Sequence, residues 1–188
     1  MKRADDEQRT RARIVDAAEL LHGTVGPANA SISAIAGTAG VTRATVYRHF
    51  PDDEALFLAC SGQWLARQLL PDPDAWSDGD PWVRLRCGLL DIYRYYRSGE
   101  PMLTKIHRDF HVVPEPVRDA RRKGEREWLE TLTRQLPHRR RAAVRAAVAH
   151  AAAFGTWRSL CRVEGLSDRA AADLMVGMVE VACGVLDR

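Results

Sequence analysis

The stretch Ile32–Phe50, ISAIAGTAGVTRATVYRHF, constrains this chain more than any other, because two short helical patterns flank one turn that carries a glycine. Two helices joined so closely form a helix-turn-helix. Ile32, Ile35, Ala36 and Ala39 recur at steps of three and four, which gives the first helix one face to bury. Ser31 is placed to cap its free amides. Gly40 can take the left-handed conformation of a tight helix exit, Val41 plugs the corner, and Thr42 has the hydroxyl that caps the next helix. The second helix is predicted from Arg43 to about Phe50.

At ~1.5 Å per residue, eight positions span roughly 12 Å, about the width of a DNA major groove. Val46 and Phe50, four apart, are expected to face inward, leaving Arg43, Thr45, Tyr47, Arg48 and His49 to meet DNA. Arginine pairs bidentately with guanine, whereas threonine and tyrosine hydroxyls hold phosphates and set register. With the caps Ser31 and Thr42, these residues form the candidate DNA-binding set. A compact hairpin with a merely solvated polar face is the plainer alternative. It would belong to a helical ligand-binding or scaffold protein that never touches DNA.

Ser31-Ile32, Ile35-Ala36, Ala39-Gly40-Val41-Thr42, Thr45, Tyr47 and His49-Phe50 resemble, in order and spacing, the N-terminal domain of TetR-family transcriptional regulators. The likeness covers roughly residues 10–57. It implies an all-α chain: an N-terminal three-helix DNA-binding domain, joined by a long helix to a larger helical ligand-binding and dimerisation domain. We place the boundary between residues 1–52 and 53–188. The resemblance further implies a homodimer on a double-stranded DNA operator, an effector lodged in the larger domain, and repression as the common output. Two positions depart from the family pattern. Pro27 follows Gly26 where an aromatic residue is common, and Asp53, flanked by Asp52 and Glu54, lies where many members carry a phosphate-contacting lysine.

Charge points to nucleic acid only weakly. The 188 residues carry a formal charge of +3, yet residues 1–57 hold seven Lys and Arg against eight acids, a net −1. DNA affinity must come from local placement of charge. The four cysteines, Cys60, Cys87, Cys161 and Cys183, are scattered without a C-x-x-C, and no secretory leader is visible, so a reducing cytoplasm is expected. No run reaches the ~20 apolar residues of a membrane span. No catalytic motif appears, and neither an enzyme nor a cofactor is expected. His107 and His111 have helical metal-ligand spacing, but two ligands do not make a site.

The remaining order is predicted from pattern and punctuation. Residues 1–9 are expected to be mobile. Thr10–Val25 forms an amphipathic helix with Ile14, Ala18, Leu21 and Val25 on one stripe, and Arg11 and Arg13 in its first turn are expected to serve a phosphate. Asp53 to about Leu70 forms the connecting helix. Trp82–Ser98 and Met102 to about Phe110 are predicted as separate helices, broken at Gly99-Glu100-Pro101. A charged helix follows over Val117–Leu136.

The last two helices, about Arg139–Val163 and Ser167–Leu186, are alanine-smooth and unusually apolar. They suit a four-helix dimer interface, with Ala152, Gly155, Leu174, Met178 and Val185 as contact candidates. Trp64, Tyr93, Tyr96, His107, Phe110, Trp128, His150, Phe154 and Trp157 are the candidate ligand contacts, for a small apolar, aromatic or planar effector. For any one aromatic among them core packing is the default, and it is the set as a whole that suggests a pocket.

Overall fold

The computed structural model describes residues 2–76, 79–134, 136–137 and 141–184, and among these every regular element is helical. In order they are α1 (Lys2–Thr24), α2 (Ile32–Ala39), α3 (Arg43–His49), α4 (Asp53–Ala66), α5 (Pro81–Arg108), α6 (Glu115–Thr133), α7 (Arg141–Ala151), α8 (Phe154–Arg158) and α9 (Asp168–Ala182). Short 3-10 turns precede α2, α5 and α6, and a π-helical turn, Ser159–Val163, extends α8. None of the described helices is long and apolar enough to cross a membrane.

The chain divides into two compact units, one of residues 1–68 with 99–120, the other of 69–98 with 121–188. The first unit extends past residue 52 to take in α4, which packs on α1, and about the last third of α5. In the first unit, Ile14, Val15, Ala17 and Ala18 of α1 meet Ile35, Ala36 and Ala39 of α2, Val46 and Phe50, and Leu56 and Cys60 of α4. In the second, Leu85, Leu89, Ile92, Tyr93 and Tyr96 of α5 are buried, as are Leu132 of α6, Val148 of α7, Trp157 of α8 and Met175 and Val179 of α9.

Several element boundaries differ from the sequence-based expectation. Helix α1 starts at Lys2, not Thr10: Asp5 lies in its first turn, where an acid suits the helix dipole, and Asp6 takes both Arg9 and the Thr10 hydroxyl, the latter at 2.9 Å. Val25, expected on the buried stripe, lies past the end of α1 and is 42% exposed. Helix α4 stops at Ala66, about one turn short of Leu70.

Helix α5 runs unbroken through Pro101. An interior proline costs ~3 kcal/mol or more, but four apolar side chains of α5 fully buried before it and Leu103, 3% exposed, after it offset that cost. The alanine-rich helix, by contrast, is broken at Ala152-Ala153. The expected helix start at Arg139 falls outside the described residues, whereas α9 ends at Ala182, capped at Cys183 and followed by Gly184 at φ 73°, short of the expected Leu186.

Candidate nucleic-acid interface

The reading pair is built by local hydrogen bonds. The Ser31 hydroxyl accepts from Ala34 N–H at 3.2 Å and opens α2. Gly40 leaves it at φ 65°, and the Val41 amide returns to the Ala36 carbonyl at 3.0 Å. The Thr42 hydroxyl then accepts from Thr45 N–H at 3.1 Å to start α3. Val46 and Phe50 are 1% and 2% exposed, which turns Arg43, Tyr47 and Arg48 away from the core. Thr42, Arg43, Tyr47 and Arg48 are exposed and Thr45 and His49 half-buried. His49 Nε2 is enclosed without a hydrogen-bond partner among the described residues.

Acidic residues stand beside this face. The Asp52 carboxylate accepts from Ala55 N–H at 2.7 Å and caps α4. Asp53 Oδ1 lies 3.4 Å from the Tyr47 hydroxyl, close enough to accept a long hydrogen bond from it. The Tyr47 hydroxyl expected to meet phosphate therefore has a carboxylate at its side.

Arg11 and Arg13 do different work from that expected. With α1 beginning at Lys2 they sit in its third and fourth turns, clear of the positive end of the dipole. The Arg11 guanidinium lies over the Phe50 ring, 4.8 Å from its centroid. Arg13 donates to the carbonyls of Ala39 and Gly40, satisfying the C-terminus of α2. Neither role was legible, because each partner lies far along the chain.

The nine candidate ligand residues divide between the units. Trp64, His107 and Phe110 belong to the first. The Trp64 indole lies against Gly99, where a Cβ would stand 3.0 Å from the ring. His107 is exposed and Phe110 half-buried. The other six belong to the second. There the Tyr93 and Tyr96 hydroxyls donate to the Ala151 and Ala152 carbonyls, each at 2.7 Å. Burial pushes both phenols well above the ordinary tyrosine range.

Tyr96 meets Phe154 edge-on at 5.3 Å between centroids, and Phe154 lies 5.5 Å from Trp157. Trp157 Nε1 donates to Asp168 at 2.9 Å, and Arg97 forks onto the same carboxylate at 2.6 and 2.7 Å. Burial works against the Asp168 charge, but Arg97 and Trp157 outweigh it and hold the carboxyl below its usual range. These aromatics are tightly packed and their polar atoms are engaged within the domain. Trp128 is half-buried, edge-on to Tyr95 at 6.1 Å.

His150 instead lines an open groove of about 480 Å³ with Thr156, Gly155, Leu174, Met175 and Met178. Leu174 and Met178, one helical turn apart on α9, are 47% and 50% exposed. Of the residues proposed for dimer contact, Gly155 is also exposed, but Ala152 is 8% exposed with its carbonyl held by Tyr96, so its side chain is not offered to a partner. Val185 lies outside the described residues. No group of three His, Cys, Asp or Glu side chains suited to a metal occurs among the described residues.

A capped helix pair with a short polar second helix, packed on a third helix, defines a helix-turn-helix DNA-binding head. Residues 14–60 match the model of bacterial regulatory proteins of the tetR family. Solved structures share the fold over nearly the whole chain. A TetR-like transcriptional regulator from Rhodococcus sp. RHA1 is 19% identical, with a TM-score of 0.65 over 95% of this chain and 97% of that one. NalD, the secondary repressor of the MexAB-OprM multidrug efflux pump in Pseudomonas aeruginosa, is 24% identical, with a TM-score of 0.55 over 94% and 96%. A second transcriptional regulator from Rhodococcus is 23% identical, with a TM-score of 0.57 over 91% and 96%. No curated protein matches the chain. Residues 14–60 are thus similar to the N-terminal domain of tetR-family regulatory proteins, and the chain as a whole shares the fold of solved TetR-like regulators.

Proposed function

We propose that the protein is a homodimeric, ligand-responsive repressor that reads a palindrome-like operator through Thr42–His49. Residues 1–52 serve as the reading domain and 53–188 as the ligand-binding and dimerisation domain. The observation that carries the reading is the burial of Val46 and Phe50, which turns Arg43, Tyr47 and Arg48 outward from a helix capped at Thr42. Seven residues of α3 reach only a few base pairs, so specificity calls for two heads about one helical turn, ~34 Å, apart. A second copy seated on the groove at Gly155, Leu174 and Met178 would supply the other head and cover two exposed apolar side chains.

The family resemblance supports repression and a small apolar or aromatic effector. Such a ligand must favour the DNA-incompetent arrangement by ~1–3 kcal/mol to weaken operator binding roughly 5–150-fold. Because Tyr93, Tyr96, Phe154 and Trp157 are engaged in core packing, Trp64 and Trp128, both half-buried, are the better first positions at which to look for it.

Footprinting on a duplex selected from random DNA tests the DNA reading. Arg43→Ala is expected to lose ~1–3 kcal/mol of discrimination at one base position, and Tyr47→Phe to weaken all sequences alike. Unchanged footprints and affinities for both variants would remove α3 from the interface.

A further inference from the structure

The turn between α1 and α2 is held in place by two residues at the far end of α5, in the same compact unit. The Val25 carbonyl, just past the last turn of α1, accepts from Arg108 Nη2 at 2.8 Å. The Ala28 amide, in the 3-10 turn that precedes α2, donates to Asp109 Oδ2 at 3.1 Å. Arg108 and Asp109 are themselves joined by a two-pronged ion pair, Nε to Oδ1 at 2.6 Å and Nη2 to Oδ2 at 2.8 Å. One ion pair thus satisfies a carbonyl and an amide on opposite sides of a turn.

Gly26 makes the approach possible. It sits at φ 91°, and a Cβ there would lie 2.3 Å from both Arg108 Nη2 and Asp109 Oδ2. Asp109 is only 4% exposed. A carboxylate directly after the C-terminus of α5 faces the negative end of that helix's dipole, and burying it adds to the cost. Nothing in the stability of α5 itself favours an acid at this position. What balances its charge is Arg108 and the Ala28 amide, and these hold its carboxyl well below the usual range.

The turn so held determines where the reading pair sits. Ala28 lies three residues before the Ser31 cap, so its position fixes the point at which α2 begins on the surface of α1. Helix α3 follows from α2 through the single corner at Gly40. We propose that Arg108 and Asp109 are positioning residues for DNA recognition, which set the placement of α2 and α3 without touching DNA. The proposal rests on the DNA-binding reading of α3. It adds that operator affinity depends on an ion pair some sixty residues further along the chain.

The test uses the full chain and a duplex selected from random sequence by the wild-type protein. Operator and non-operator affinities are measured by fluorescence anisotropy, alongside amide hydrogen exchange, for Asp109→Asn and Arg108→Lys. Asparagine loses the charge that the guanidinium grips, and lysine cannot fork. Asp109→Asn is expected to weaken operator binding about tenfold and to weaken non-operator binding less, because misplacement harms base contacts more than phosphate attraction. Exchange should quicken over residues 25–49 and stay unchanged over 168–182. Arg108→Lys should fall between Asp109→Asn and wild type.

Operator affinity within twofold of wild type, with the Ala28 amide newly exchanging, would overturn the proposal. So would exchange that quickens equally in α9, since the pair would then serve general stability. If Asp109→Asn does not fold, Arg108→Gln is read against the same outcomes. A wild-type protein that selects no sequence would overturn the DNA reading itself, and the positioning role with it.

Discussion

His22 shows how one side chain ties the reading head to a pH range. It is 6% exposed, its ring lies 4.7 Å from that of Phe57, and its Nδ1 stands 3.3 Å from Cys60 Sγ. Burial lowers its pKa from 6.5 to about 4, and the same desolvation raises that of Cys60 to about 12. Folding therefore favours the neutral imidazole. As pH falls from 6.5 to about 4 the unfolded chain takes up a proton that the folded chain refuses, and stability declines through that window by about 3 kcal/mol. Thermal denaturation of wild type and His22→Leu at pH 7.5 and pH 4.5 measures this. The variant should lose less stability on acidification than wild type, and an equal loss in both would assign the acid sensitivity to other groups.

At the scale of elements, what could be read in the sequence depends on how far each cause lies along the chain. The caps Ser31 and Thr42 were legible because each hydroxyl meets an amide three residues on. Val46 and Phe50 were legible by spacing alone. The break after Ala151 was not, since a run of alanines carries no sign of ending. Its carbonyls are taken by tyrosines 58 and 56 positions away. Pro101 misled in the opposite direction: a local rule predicts a break, and burial on either side of the proline overrides it. The ligand candidates were chosen as aromatic residues outside the reading head, a criterion that cannot separate a cavity lining from a filled core.

The two tyrosines give this element-scale account a test. Tyr93→Phe and Tyr96→Phe each leave a buried carbonyl without its donor at nearly unchanged volume, and each should cost about 1–3 kcal/mol. Chemical denaturation of the single and double variants checks it. Double-variant losses well beyond the sum of the singles would show that the pair holds the break as a unit.

For the whole molecule, the exposed pair Leu174 and Met178 offers an apolar surface beside the groove at Gly155 and Thr156. If a second copy covers it, Leu174→Arg with Met178→Arg should convert dimer to monomer in sedimentation at micromolar concentration. The same variant should lose operator affinity by far more than either change to α3, because one head alone spans too few bases. A variant that still sediments as a dimer would move the interface elsewhere.

The carboxylates around Tyr47 bear on how such a protein finds its operator among random sequence. Asp53 stands next to the phenol on the reading face, and Asp52 and Glu54 flank it. If this head reads DNA as proposed, a face so charged is expected to hold the phosphate backbone loosely, with brief encounters with random duplex and short scanning along it. Retention then depends on base contacts made once the operator is met. Asp53→Lys should reverse this balance. Its affinity should fall more steeply with salt, the log-log slope changing by about one per head, while occupancy of non-operator DNA rises and discrimination falls. An acid where a lysine is common would thus shorten each visit to the wrong sequence.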